Sequence, residues 1–254
     1  MLAYALAVRL CSKADQRSPK PFVSKEAKRT RALRHFDPYK TIQSLLNELS
    51  TRYGRQAPTP RHRFVAADLS RDEDLAHRLG RYSHVITSPP YINAQDYYRN
   101  FKLELYLLED VLPFRVDDLR ERFIGTERGN LLDGFSRQEL QTNRELLPIL
   151  TKLERHHHRL ASVVHRYVRD MNIAITNLKH VLKPKGTMVL VCGDNLIGGE
   201  HIRTWKILQR LAERAGFALF DRFTDAIGDR LLPPKRCGHK GLIKEEVVSA
   251  FRLV

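Results

Sequence analysis

An α/β fold, with a mainly parallel sheet and an antiparallel C-terminal hairpin, is predicted by three observations. Short apolar runs at 62–68, 83–88 and 187–194 alternate with stretches of helical spacing, the pattern of strands joined by helical crossovers. The two final apolar runs, "FALFDRFTDAI" and "EEVVSAFRL", follow one another without a helix between them, as an antiparallel pair does. The chain has 254 residues, 42% hydrophobic and 29% charged, enough to bury the core of a globular domain.

The elements follow in order. Leu2, Leu6 and Leu10 with Ala3, Ala7 and Ala14 share one face, so the first 14 residues read as a helix. Arg9 inside the apolar stretch argues against a signal peptide. "DQRSPKPFVSKEAKRTRALRHFDP" is basic and proline-punctuated, a loop or arm, and "YKTIQSLLNELSTRY" is a short amphipathic helix broken by "GRQAPTP". "HRFVAAD" is a strand ending in Asp68, and "LSRDEDLAHRLG" a helix closed by Gly80. "SHVITS" is a strand that runs into Pro89 and Pro90, and "FKLELYLLEDVL" (101–112) reads as a buried helix. Residues 113–134 form a connection with a short helix in it. A long helical pattern spans 137–182, with a break expected near Pro148 and cationic residues, proline and glycine at its end. "TMVLVCGD" (187–194) is the most apolar strand, and "RTWKILQRLAERAG" an amphipathic helix stopped by Gly216. The basic stretch "GDRLLPPKRCGHKG" joins the two closing strands. The chain divides into an N-terminal helix with a basic arm (1–61) and one larger domain (62–254).

A net charge of +15 and a pI near 10 favour a polyanionic partner, most simply nucleic acid. Residues 1–63 alone hold fourteen Lys/Arg against four Asp/Glu. That segment is either a solvated basic stretch or a phosphate-contacting surface. No apolar run approaches the roughly 20 residues that span a bilayer. Cys11, Cys192 and Cys237 are too few and too scattered for a disulfide framework or a thiolate zinc site, and fit a reducing cytoplasm. His156, His157 and His158 point in different directions on a helix and read as a solvated face, not a metal site.

The informative stretch is "TSPPY" (87–91) at a strand end. Proline donates no backbone hydrogen bond and locks φ, so the pair makes a stiff corner with outward carbonyls. Taken alone, the prolines could simply stop the strand. "TSPPY" resembles the catalytic motif of S-adenosylmethionine-dependent DNA amino-methyltransferases, and its serine form is most similar to the N4-cytosine class, where adenine enzymes usually carry aspartate. "VLKPKGTMVLVCGD", "GLIKEEVVSAFRL" and "RFVAAD" are similar to the later helix–strand unit, the closing strand and the acid-bearing strand of those enzymes, so the likeness covers 62–254 in order.

The resemblance implies a Rossmann-like methyltransferase sheet over 62–254 and a base swung out of double-stranded DNA. It implies that Ser88, Pro89, Pro90 and Tyr91 are catalytic. Ser88 and the Pro89 carbonyl would hold the amino group, and Tyr91 would stack on the flipped base. Asp68, Thr87 and Ser88 would face the cofactor, with a capping role open for Asp68. Asn93, Tyr97, Arg99, Asp194, Lys235 and Arg236 are candidates for base or phosphate contact, each with a packing or solvent-facing alternative. Target recognition would fall to 113–165 or to the basic segment 15–61.

The family's glycine-rich cofactor turn is missing: before Gly80 the chain has a single glycine, Gly54, in a proline-rich connection. The first residues resemble a helix that follows the second strand of these enzymes. On that reading the chain begins two strands late, or a second polypeptide supplies the turn, and cofactor binding by the chain alone should be weak. Two alternatives stay open: the same chemistry on RNA, and a non-catalytic nucleic-acid-binding subunit that has lost its cofactor site.

Overall fold

The structure, a computed structural model, describes residues 37–53, 67–72, 74–92, 98, 105–106, 108–111, 114–126, 146–227 and 245–254. The chain divides into two compact units, residues 1–64 with 96–120, and residues 65–95 with 121–254.

In the first unit, α1 (Pro38–Tyr53) begins where the Asp37 carboxylate accepts the backbone N–H groups of Tyr39 (3.0 Å) and Lys40 (3.2 Å), an N-terminal cap. The expected helix over 101–112 is described only at Leu105 and Tyr106 and as a 3₁₀ turn at Glu109–Val111. A second 3₁₀ turn, Asp117–Glu121, is the short helix foreseen in the connection. Tyr98, Tyr106 and Asp117 share a cluster of hydroxyl–carboxylate hydrogen bonds.

The second unit holds the sheet. Its elements are α2 (Leu75–Leu79), β1 (Tyr82–Thr87), α3 (Leu146–Val181), β2 (Leu182–Gly193), β3 (Asn195–Ile197), β4 (Glu200–Ile202), α4 (Thr204–Arg214), β5 (Phe217–Ala226) and β6 (Glu245–Leu253). The strand order is β1-β2-β6-β5. β1 and β2 are parallel, whereas β6 is antiparallel to both β2 and β5. The expected mainly parallel sheet is therefore corrected among the described strands, where two of the three pairings are antiparallel. The closing pair is antiparallel as expected, but β6 inserts between β2 and β5 and leaves β5 at the edge. The strand expected at 62–68 lies outside the described residues up to position 66, and Ala67 and Asp68 are not in a strand, the Asp68 carbonyl accepting the Arg71 and Asp72 N–H groups of the turn that follows.

The core sits on one face of the sheet. Met188, Leu190 and Cys192 of β2 and Val247 and Phe251 of β6 alternate inward against α3 and α4. α4 buries Thr204, Ile207, Leu208, Leu211 and Ala212, the i, i+3, i+4, i+7, i+8 stripe that its sequence promised. α3 contributes Leu150, Leu153, Val164, Tyr167 and Ile175, each fully buried, at about 1.5–3 kcal/mol per large aliphatic side chain. On the opposite face Ile86 is 76% and Phe223 57% exposed.

α3 is two helical segments joined at His157 (φ −147°, ψ 58°), so the break is there and not at Pro148. Pro148 lies in the first turn, where a proline's missing N–H costs nothing. A β3–β4 hairpin not foreseen from the sequence packs at this break. Its turn residues Gly198 (φ +57°) and Gly199 (φ +83°) both need positive φ, as a two-residue hairpin turn demands. A Cβ on Gly198 would lie 2.7 Å from Leu153 Cδ2 and 3.0 Å from His157 Cδ2, so only glycine lets the hairpin tip approach α3. A Lys152–Glu200 ion pair at 3.4 Å ties the same two elements. The long β2 includes a bulge over 183–186, and its regular pairing with β1 starts at Thr187, where the apolar run begins.

Candidate active site at the end of β1

β1 ends at Thr87, half-buried and paired with Leu190, and the chain then turns through the proline corner. Ser88 is exposed, Pro89 is buried, and Tyr91 is half-buried. Among the described residues neither the Ser88 hydroxyl nor the Pro89 carbonyl has a hydrogen-bond partner. The corner thus leaves uncommitted the two oxygens that the sequence singled out.

Beyond the corner, the chain is held from several sides. The Tyr91 side chain reaches across β2, where its hydroxyl donates to the Glu246 carboxylate of β6. Burial, reinforced by Glu246, pushes the Tyr91 phenol well above its ordinary range, so it stays a neutral donor. The next residue, Ile92, is 1% exposed, and its carbonyl accepts the Asn195 side-chain N–H₂ at 3.2 Å. Thr204 donates to Asn195 Oδ1 at 2.8 Å. Asn195 and Thr204 are both buried, so each side of the Asn195 amide is satisfied and its orientation is set. On the other flank, Gly125 (φ +79°) passes so close that a Cβ there would lie 2.7 Å from the Tyr91 carbonyl oxygen. The neighbouring Thr126 carbonyl accepts a hydrogen bond from Arg166 of α3.

Asp194 follows β2 at the same end of the sheet. Its Oδ2 lies 3.2 Å from His201 Nε2. Burial raises its carboxyl above the ordinary range, with His201 and Arg203 opposing. Cys192 is buried beside it, its thiol pushed up to about 12 by desolvation and then by Asp194 and Glu246.

The structure thus brings Thr87, Ser88, Pro89, Pro90, Tyr91 and Asp194 to one end of the sheet. Asp68 is in the turn before α2. Its Oδ1 accepts from the Ser70 N–H (3.0 Å) and hydroxyl (2.7 Å), and its Oδ2 lies 3.8 Å from Arg71. Half of the carboxylate is therefore spent on the local turn, the capping alternative. Asn93, Tyr97, Arg99, Lys235 and Arg236 lie outside the described residues. Ala226 and Glu245, the strand ends that bracket the last two, pair next to Glu246, at the Tyr91 end of the sheet. Asn195, which the sequence marks with Asp194 as a strand-end candidate for pocket lining or capping, serves as a brace on the Ile92 carbonyl. Sequence reasoning missed Glu246, Thr204 and Gly125, none of which carries a local signal.

Two curated relatives, both type II methyltransferase M.AvaI, from Nostoc sp. (strain PCC 7120) and Anabaena variabilis, are 32% identical over 149 residues. The chain resembles type II DNA methyltransferases, as its motif predicts. The match takes in 54% of this chain and 31% of each relative, so the chain spans about a third of the methyltransferases it matches. No family model matches the chain. Among solved structures, a provisionally assigned DNA modification methylase of Thermus thermophilus overlaps 41% of this chain and 40% of its own at 18% identity, with a TM-score of 0.29, below the level of a shared fold.

Proposed function

We propose that this chain is catalytic machinery of a DNA methyltransferase that moves a methyl group from S-adenosylmethionine to the exocyclic amino group of a flipped base, with N4 of cytosine favoured over N6 of adenine. The observation that carries the reading is the corner itself: two uncommitted oxygens at the end of a parallel strand, on a loop immobilised just beyond them. The likeness to M.AvaI supports the substrate class.

The lone pair of an aromatic amino group is delocalised into the ring, and the nitrogen is a poor nucleophile. In this reading its two N–H groups donate to Ser88 Oγ and to the Pro89 carbonyl. Both acceptors draw the nitrogen toward a tetrahedral geometry and free the lone pair for attack. Acceptors already aimed before the base arrives need no reorganisation, which is where such sites gain rate. The preference for cytosine rests on the serine form of the motif at Ser88. The base reaches this corner only outside the stack.

The cofactor supplies an electrophilic methyl sulfonium. The described residues fit its site only in part. Thr87 and Ser88 lie at the strand end, whereas the Asp68 carboxylate is half committed to its own turn and the sequence holds no glycine-rich cradle. No residue is therefore assigned to the methionine end.

The test is methyl transfer by the whole chain to defined duplex DNA, with tritiated S-adenosylmethionine at millimolar concentration so that weak cofactor binding does not hide transfer. Nucleoside analysis should return N4-methylcytosine. Label in RNA alone, or DNA binding without any label, would favour one of the two competing readings.

A further inference from the structure

A cleft of about 800 Å³ in the second unit is not at the proline corner. It opens at the opposite end of the sheet, where β1 and β2 begin and β6 ends. Arg81 precedes β1, Lys179 and His180 form the last turn of α3, Lys185 lies in the β2 bulge, and Arg252 and Phe220 come from β6 and β5. Among the described residues no aspartate or glutamate lines it. None of Arg81, Lys179, Lys185 and Arg252 has an ion-pair partner among the described residues. Like charges that converge without counter-charge repel, and an anion relieves them.

Two further observations narrow the anion. Phe220 is 51% exposed, with the Arg252 guanidinium 4.9 Å from its ring centre, so the ring keeps open area beside a cation. Lys185 sits at φ +60°, the only non-glycine residue at positive φ among those described, a conformation costing about 1–2 kcal/mol. That cost is borne at the cleft wall, where the surrounding structure holds Lys185 in place. Cations that track phosphates beside an aromatic face that takes a base are the elements of single-strand nucleic-acid recognition.

We infer that this cleft binds a nucleic-acid strand with unpaired bases, its phosphates on Lys185, Arg252, Arg81 and Lys179 and a base against Phe220. The site is separate from the proline corner and does not depend on the methyl-transfer reading.

The experiment is fluorescence anisotropy of the whole chain with a short labelled single-stranded oligonucleotide across a salt series. The first variant is Lys185→Gly with Arg252→Gln, in which glycine removes a cation and relieves the left-handed backbone. The charge-matched control is Lys40→Gln with Arg155→Gln, two exposed residues that are not among those lining the cleft. Loss of two contacts should lower the slope of log affinity against log salt by about 1.4, at about 0.7 per phosphate on a single strand. The control should move neither slope nor affinity by comparison. Phe220→Leu should weaken binding about tenfold, at the lower end of what one stacked base contributes. Should the double variant melt, Lys185→Gly alone carries the test with half the slope change. Cleft variants that behave like the control overturn the inference. So does unchanged affinity in Phe220→Leu together with full competition by tripolyphosphate at equal phosphate, which would make the cleft a site for free polyphosphate. Oligonucleotide binding that responds as expected without any methyl transfer would sink the proposed activity and leave the cleft standing.

Discussion

Gly125 and Gly80 share the same backbone angle, φ +79°, and differ in what surrounds them. At Gly80 an added Cβ meets nothing within 4 Å; at Gly125 it meets the Tyr91 carbonyl oxygen at 2.7 Å. Gly80 has ψ −164°, a combination that only glycine adopts freely, so Gly80→Ala reports a backbone cost alone, about 1–3 kcal/mol. Gly125→Ala adds a contact that must open by several tenths of an ångström, and the atom in the way is main chain. Overpacking of that kind adds about 1–3 kcal/mol. For a chain of this size, 1 kcal/mol is about 2–4 °C. Gly80→Ala should thus lose roughly 2–12 °C, and Gly125→Ala roughly 4–24 °C. Turnover should separate them more sharply. A displaced Tyr91 carbonyl shifts the corner two residues upstream, and misplacement approaching 1 Å costs on the order of 10²-fold. Gly80→Ala should keep full turnover. The assays are thermal unfolding by circular dichroism and methyl transfer to duplex DNA. Equal melting points and equal turnover in the two variants would refute the claim that the 125 loop braces the corner.

The remaining predictions concern the braces and the buried acids. Glu246→Ala should lower turnover about tenfold and let the Tyr91 phenol ionise at lower pH, read as tyrosinate absorbance against a Tyr91→Phe blank. Glu246→Gln, which can still accept the hydroxyl, should restore most of both, and an unmoved titration in the alanine variant would remove Glu246 from the account. Asp194 has a folded pKa above its ordinary value of 3.8, so its burial costs little stability below about pH 4 and progressively more as pH rises. Asp194→Asn should gain melting temperature relative to the parent between pH 4 and 7, and a pH-independent difference would contradict this. The Cys192 thiol, pushed up to about 12, should resist a thiol reagent at pH 8 in a Cys11→Ser/Cys237→Ser background until the chain unfolds; prompt labelling would show the site to be open.

Much of this was legible because local chemistry and tertiary demand agree. The stripe of α4 and the alternation of β2 and β6 each follow from residue spacing. Strand direction did not, because β6 lies between β2 and β5 by virtue of where a chain returns, which no local pattern encodes. The break in α3 was expected at Pro148 because proline is the usual breaker. It falls at His157, where a hairpin from 40 residues further on packs against the helix. The Gly198–Gly199 pair was visible as glycines and passed over as a hairpin turn. The corner at 88–91 was readable because proline restricts the chain wherever it occurs. Its braces were not, since Glu246 is 155 residues from Tyr91 in sequence and Asn195 103 from Ile92.

The central claim is that Ser88 and the Pro89 carbonyl take hydrogen bonds from the amino group in the transition state. Ser88→Ala tests it most directly, with single-turnover methyl transfer and DNA affinity measured on the same preparation. Turnover should fall about 10²-fold with affinity unchanged, as for loss of one preorganised partner. Full turnover in the alanine variant, or a loss matched by weaker DNA binding, would contradict it.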